Sequence, residues 1–420
     1  MSEVRLETDF VRPSPNLLSG GGRTFFNAMK AILLTGVLLA AAPLRAEGPK
    51  PLTADETAAL RFLDFVTAPM SEADEKEWWD VGGRQFGLFA KRYHIAFAGY
   101  AAAALGMRGT DDERKAVGRI LGNCIRRILR RDVWAYSQSK KYWGEKPWAP
   151  YPCYRENVMY TGHLLQLLAL YETFTHDTRY WTQGFDFEWS EGKRVHYTVQ
   201  KLIDVTVDQM RANDFCGVTC EPGLLFFPCN NHPQIALKLF ANLGHGDWSA
   251  DSRRWEAWAL DHFVSPLLGG GAVNLLYHAK TGLFYPRGSA GLDGWSLLWY
   301  EPWAERRETS LELWRKAAAE LDWGVFDNPS DIKAGAGCCD PQPAPPTVAA
   351  AFLAAAARAN DDTATAERLE RAVDAYLVRT NGLYYLDLNR EWRIGATAHR
   401  IISLAESNGS RFRQMILYGR

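Results

Sequence analysis

Three cysteines and a histidine crowd one short stretch of the chain. Cys216, Cys220, Cys229 and His232 follow a C-x3-C-x8-C-x2-H spacing around "CEPGLLFFPCN", residues 220–230. Three chemistries fit these residue types. Zinc takes thiolate and imidazole ligands in a tetrahedron, usually from paired short knuckles, and this segment has no C-x2-C. A Cys220–Cys229 disulfide would close a short loop, although a chain of this length builds a sizeable core without one. Two open thiols are the third reading: a thiolate is a soft nucleophile or base whose pKa follows its neighbours. Phe226 and Phe227 would keep such a site dry, and Glu221 would be a further base or a cap for the next turn. Pro222 and Pro228 oppose a regular helix, so a loop over a rigid scaffold is expected here.

The elements around this stretch read as helices. "ENVMYTGHLLQLLALYETF" sets Tyr160, His163, Leu164, Leu167 and Tyr171 on one helical face. "RYHIAFAGYAAAALGM" (92–107) is Ala-rich, "PPTVAAAFLAAAARAN" opens on prolines as helices often do, and "TATAERLERAVDAYLV" (363–378) is amphipathic. "NLLYHAKTGLFYP" (274–286) reads as a hairpin about Thr281-Gly282. About twelve helical segments without crossover strands predict an all-α fold of stacked helical hairpins. An (α/α)6 barrel over residues 47–420 is the compact solution, its inner helices lining a central cavity. No repeat of the 34-residue kind supports an open solenoid.

Lys and Arg total 48 against 49 Asp and Glu, with no basic stripe, which argues against a nucleic-acid partner. The 16 Trp, 17 Tyr and 20 Phe fit either large-residue packing or an aromatic cavity for an apolar or sugar ligand. From Met29, "MKAILLTGVLLAAAPLRAEG" has a lysine, an apolar run and then Leu44-Arg45-Ala46. It reads as a secretory signal cut after Ala46, with translation expected to start at Met29 and residues 1–46 outside the catalytic domain. Export to the periplasm permits disulfides, but seven cysteines is an odd number, so at least one thiol lacks an internal partner.

"ENVMYTGHL" (156–164) followed by the "AN-F-G-CEP---F--CN" pattern over 212–230 resembles the linalool dehydratase-isomerase family. The resemblance runs from about residue 56 to about 300, and more weakly to the end. It implies an exported (α/α)6 barrel, a homo-oligomer (a pentamer) and a site. In that site His163 is the active-site histidine, Cys220 and Cys229 the cysteine pair, Asp64 of "RFLDF" the catalytic aspartate and Tyr93 a pocket tyrosine. Met159, Phe226 and Trp295 match lining positions. The chain departs from the pattern at Met70 and Gly291, where the family carries tyrosines. Two hydroxyls are thereby lost from the polar end of the pocket, and the glycine opens space for a larger or differently shaped alcohol.

The chemistry so implied is dehydration or isomerisation of an apolar, terpenoid-like allylic or tertiary alkenol. An acid must protonate the leaving hydroxyl, a base must take a proton from carbon, and the pocket must exclude water. His163 with Asp64 would supply the acid and its orienting partner; Cys220 or Cys229 would be base or nucleophile. Phe226, Tyr93 and Trp295 would favour the cation. No metal or organic cofactor is called for. Two rivals stand beside this reading. One is a carbohydrate enzyme on the same toroid, using paired carboxylates such as Glu221 with Asp293 or Glu301. The other is an inactive family member that binds an apolar ligand.

Overall fold

The computed structural model describes residues 50–79, 91–135, 153, 155–190, 192–264, 271–285, 289–327 and 345–418. The expected signal sequence, the extension before it, and Cys338 and Cys339 lie outside these. Residues Gly48–Arg420 form one compact unit.

Twelve helices of eleven residues or more are found among the described residues: α1 Ala54–Thr67, α2 Lys91–Gly106, α3 Asp111–Ile128, α4 Val158–Thr175, α5 Val199–Arg211, α6 Phe227–Asn242, α7 Ser249–Phe263, α8 Ala290–Tyr300, α9 Arg307–Ala319, α10 Pro346–Ala359, α11 Thr363–Asp374 and α12 Arg390–Ser407. Thr53 and Thr110 open α1 and α3 with capping boxes completed by Glu56 and Glu113. The helices sort into two kinds by the width of their buried face. In α5 the buried residues are Val199, Leu202, Ile203, Thr206, Val207 and Met210, a single stripe. In α2, by contrast, every residue from Arg92 to Gly106 is buried, and in α10 every residue but Arg358. A helix buried all round must sit in an inner layer.

The even-numbered helices form that layer. Each packs on the next, α2 on α4, then α6, α8, α10 and α12, and α12 packs back on α2. The ring is closed, and the odd-numbered helices flank it. This is the (α/α)6 barrel expected from the sequence. Small residues permit the inner contacts. A Cβ on Gly162 of α4 would sit 2.8 Å from the Pro233 ring and 3.2 Å from the Cys229 carbonyl oxygen of α6. One on Gly294 of α8 would sit 2.8 Å from the Leu353 backbone nitrogen of α10.

Strands occur only in loops. β1 (Phe185–Ser190) and β2 (Lys193–Tyr197) form a hairpin inside the "WTQGFDFEWSEGKR" region. The expected hairpin at Thr281-Gly282 is β4 (Leu276–His278) with β5 (Leu283–Tyr285), and Gly282 takes the left-handed conformation at φ 68°. A third strand, β3 (Leu224–Leu225), pairs with β4 and comes from the cysteine segment itself. β6 (Leu377–Thr380) and β7 (Leu383–Leu386) lead into α12, which closes the ring in the part of the chain where the sequence is least telling.

Candidate active site

The cysteine segment is a tight turn followed at once by a helix. The Leu224 carbonyl accepts the Cys220 N–H at 2.8 Å, and the Leu224 N–H returns to the Glu221 carbonyl at 2.9 Å, with Gly223 at φ 83° between them. Helix α6 then starts at Phe227. Here the loop expectation is corrected. Pro228 lies in the first turn, where a helix has no use for its missing N–H, so it begins the helix and places Cys229 on it. The residues after Cys229 divide the remaining tasks. Asn230 clamps the segment, accepting the Val218 N–H at 2.9 Å and donating to the Val218 and Phe226 carbonyls at 3.0 and 3.1 Å. Asn231 ties α6 to α8, donating to the Ser296 carbonyl at 2.9 Å and accepting from the Trp303 indole at 3.1 Å.

The helix that carries His163 is fastened to the same segment. Glu156 and Asn157 are both left-handed, which turns the chain into α4. The Asn157 and Val158 N–H groups, which no helical carbonyl could serve, donate to the carbonyls of Cys220 and Thr219 at 3.0 and 3.2 Å. The MYTGH and CEP stretches are therefore joined by backbone.

Cys220 and Cys229 are buried free thiols. Burial pushes the Cys220 thiol well above its usual range, and its hydrogen bond with Cys229 adds to this, while Arg92 pulls the other way. Cys220 thus keeps its proton and offers it to the Cys229 sulfur. Cys216 stands apart at φ 56°, its sulfur 3.5 Å from the Asp214 carbonyl. Among the described residues no group of three His, Cys, Asp or Glu is arranged to hold a metal ion.

His163 is fully buried, with its ring centroid 3.9 Å from that of His232, 5.3 Å from Tyr93 and 5.8 Å from Phe97. The two imidazoles differ in what their nitrogens can do. The Trp295 indole N–H donates to His232 Nε2 at 3.3 Å, so Nδ1 carries the proton and gives it to Gln166 Oε1 at 2.7 Å. His232 is saturated. His163 shares Nδ1 with the Tyr100 hydroxyl at 2.9 Å, and its Nε2 has no hydrogen-bond partner among the described residues. Burial holds His163 well below the usual imidazole range, with His232 and Arg92 lowering it further. It is neutral at pH 7. The only other acceptor for the Tyr100 hydroxyl here is the His163 carbonyl at 3.5 Å, so the phenol donates to Nδ1 and leaves the proton on Nε2.

Of the residues singled out in the sequence, His163, Tyr93 and Trp295 come together here, and the Cys220–Cys229 pair is linked to them through Arg92, whose charge acts on both His163 and Cys220. Met159 joins them through Arg92, whose Nη2 lies 3.4 Å from its sulfur, and Phe226 caps the start of α6. Gly291 is buried in α8, one turn before Trp295. Asp64 lies apart from them within the chain. It lies on α1 in the outer layer, a third exposed, and its carboxylate binds Arg119 of α3 at 2.8 and 3.1 Å. Within the chain, Tyr100 orients His163. Met70 follows α1, half-buried at the edge of the core. Of the carboxylates offered for sugar chemistry, Asp293 accepts the Ala272 and Val273 N–H groups at 2.9 and 3.0 Å and Glu301 holds Arg307 at 3.0 Å, while Glu221 is buried in the cysteine turn itself.

Sequence reasoning missed Arg92, Tyr100, His94 and His399, and weighed His232 only as a metal ligand. The Arg92 guanidinium lies 4.3 Å over the Tyr93 ring. Tyr93, Phe97 and Tyr100 follow i, i+4, i+7 spacing, and this aromatic stripe in an Ala-rich helix was the available signal.

A family model described as linalool dehydratase/isomerase matches residues 92–392. The chain belongs to that family. The match runs from Arg92 in α2 to the start of α12, and so takes in five of the six inner helices and the first residues of the sixth. Among solved structures, the chain is similar to a possible member of the GH105 family from Salmonella enterica serovar Paratyphi A, at 12% identity and TM-score 0.50, covering 87% of this chain and 97% of that one. It is also similar to the unsaturated glucuronyl hydrolase of Bacillus sp. GL1, at 12% identity and TM-score 0.49, covering 84% and 97%. A third is the GH76A alpha-1,6-mannanase of Salegentibacter sp. HEL1_6, at 10% identity and TM-score 0.47, covering 84% and 99%. At 12% identity the likeness to the GH105 member is one of fold alone.

Proposed function

We propose that the protein is a hydro-lyase and isomerase acting on an apolar allylic or tertiary alkenol. The observation that supports this reading is His163, neutral and with one unpartnered nitrogen, buried among aromatic rings in a cluster whose Arg92 also acts on the hydrogen-bonded thiol pair. His163 Nε2–H holds the substrate hydroxyl by a hydrogen bond, the Cys229 S–H gives its proton to that oxygen, and the C–O bond breaks with its electron pair on the oxygen. The allylic cation that forms lies against the Trp295 and Phe97 rings, where desolvated cation–π attraction is worth about 2 kcal/mol. The thiolate left on Cys229 accepts the S–H of Cys220 and removes a proton from the carbon beside the cation, so that the double bond forms, Cys229 regains its proton and water departs. In isomerisation, water re-adds at the other end of the allyl system. Each proton has a donor and an acceptor on the chain, so the reading calls for no cofactor.

The test is headspace gas chromatography after anaerobic incubation of residues 47–420 with linalool, geraniol and related alkenols. A diene or rearranged alcohol is expected, and thiol alkylation should abolish it. Cys229→Ala should lower turnover at least about a hundredfold, and Cys220→Ala less. Full turnover in Cys229→Ala would overturn the assignment of the base. Export by the Met29–Ala46 signal and assembly as a homo-oligomer belong to the same reading. The mature N-terminus in a periplasmic fraction, and light scattering, check them.

A further inference from the structure

A second imidazole in the ring interior is placed to hold substrate. His399 of α12 is fully buried, its ring stacked on Phe352 at 3.4 Å between centroids and set edge-on to Phe97 at 4.6 Å. Phe97 is also the neighbour of His163, at 5.8 Å, so one phenyl ring separates the two imidazoles. His399 Nδ1 lies 2.8 Å from the Gly395 carbonyl oxygen, which can only accept, so Nδ1 carries the proton. Nε2 is then a bare lone pair, and it has no hydrogen-bond partner among the described residues. Burial, with His94 nearby, lowers the imidazole to about 3, so it remains an acceptor through the neutral range. A fully buried acceptor left unmatched is costly, and a ligand donor would recover that cost.

We propose that His399 Nε2 accepts a hydrogen bond from a second hydroxyl of the substrate, so that the preferred substrate class is an alkenediol. The inference rests on the alkenol reading above and narrows it. The reacting hydroxyl meets the proton on His163 Nε2, and the distal one lies past Phe97 with its O–H directed at His399. An acceptor of this kind discriminates by donor: a hydroxyl satisfies it, whereas a ketone or a methyl ether at the same carbon does not.

The experiment compares linalool with hydroxylinalool bearing its second hydroxyl on the far terminal carbon, and with the methyl ether of that hydroxyl. kcat/KM for the diol should exceed that for the ether and for linalool by roughly tenfold or more. In His399→Leu the diol-to-linalool ratio should fall towards one, and in His399→Gln, which retains an acceptor oxygen, it should partly recover. A ratio unchanged in His399→Leu, or an ether that works as well as the diol, overturns the proposal. Binding of the saturated counterparts, read by tryptophan fluorescence, separates the two readings. If no alkenol turns over but the saturated diol still binds more tightly than the mono-alcohol in a His399-dependent way, the anchor stands and the reaction class falls. Equal binding of the two overturns the anchor.

Discussion

At the scale of residues, the decisive property is which nitrogen is already engaged. His163 and His232 are in ring contact, yet Trp295 and Gln166 occupy both nitrogens of His232 and leave chemistry to His163. Tyr100 then acts as a positioning residue, because it touches His163 and sets its tautomer. Tyr100→Phe should lower kcat about 10- to 100-fold with a smaller change in KM, since the ring loses its orientation while the apolar wall remains. The same change should cost about 1–3 kcal/mol in urea unfolding, because Nδ1 stays buried without its partner. A KM effect with kcat intact would assign Tyr100 to binding. The motifs MYTGH and CEP made His163 and the cysteines legible because each is local. Asp64 was named by its context alone, which says nothing of the layer its helix occupies; within the chain Arg119 pairs with it in the outer one.

At the scale of elements, glycine sets the distance at which two inner helices pass. Gly162 precedes His163 by one residue and faces Pro233 and the Cys229 carbonyl. Gly162→Ala would push α4 from α6 where His163 meets His232. Such overpacking should cost about 1–3 kcal/mol, and turnover should fall with it. Unchanged stability and activity would mean that the two helices give way easily. Helical character was legible from composition and period, and so was the (α/α)6 arrangement. Which helices are inner is written in the breadth of apolar residues, as α10 shows. Proline was the misleading signal: in "FFPCNNHP" Pro228 starts α6, and Pro233 lies inside it, because neighbouring contacts outweigh the local preference.

Taken whole, the molecule holds four buried histidines, His94, His163, His232 and His399, each held well below the usual imidazole range by burial. Unfolding lets all four take up protons below about pH 6.5, so their stabilisation is complete above that pH and is lost as pH falls towards the folded values. Asp293, raised to about 7, and Glu406, raised to about 8, have the opposite sense: burial keeps them protonated in the fold, and stability falls as pH rises past the unfolded carboxylate range. Four protons bound on unfolding against two released leave about two near pH 5, or about 3 kcal/mol per pH unit. Stability should therefore peak near pH 6.5 and fall more steeply on the acid side, as urea unfolding from pH 5 to 8 would show. A flat profile would mean that these groups titrate alike in both states. His94 and His399 were invisible as a pair in the sequence, because some three hundred residues separate them and only the closed ring makes them neighbours.

That closure also orders events in time. The Gly395 N–H donates to His94 Nδ1 at 3.1 Å, Ser410 reaches the Ala104 carbonyl at 2.7 Å, and Arg379 binds Asp55. Each bond joins the beginning of the barrel to its end. A ribosome delivers α12 last of the twelve helices, so a growing chain is an open crescent whose wettest flank is the future interior. It can neither exclude water nor present His399 beside Phe97 until the final hairpin arrives, and a prematurely stopped chain is a barrel with a stave missing.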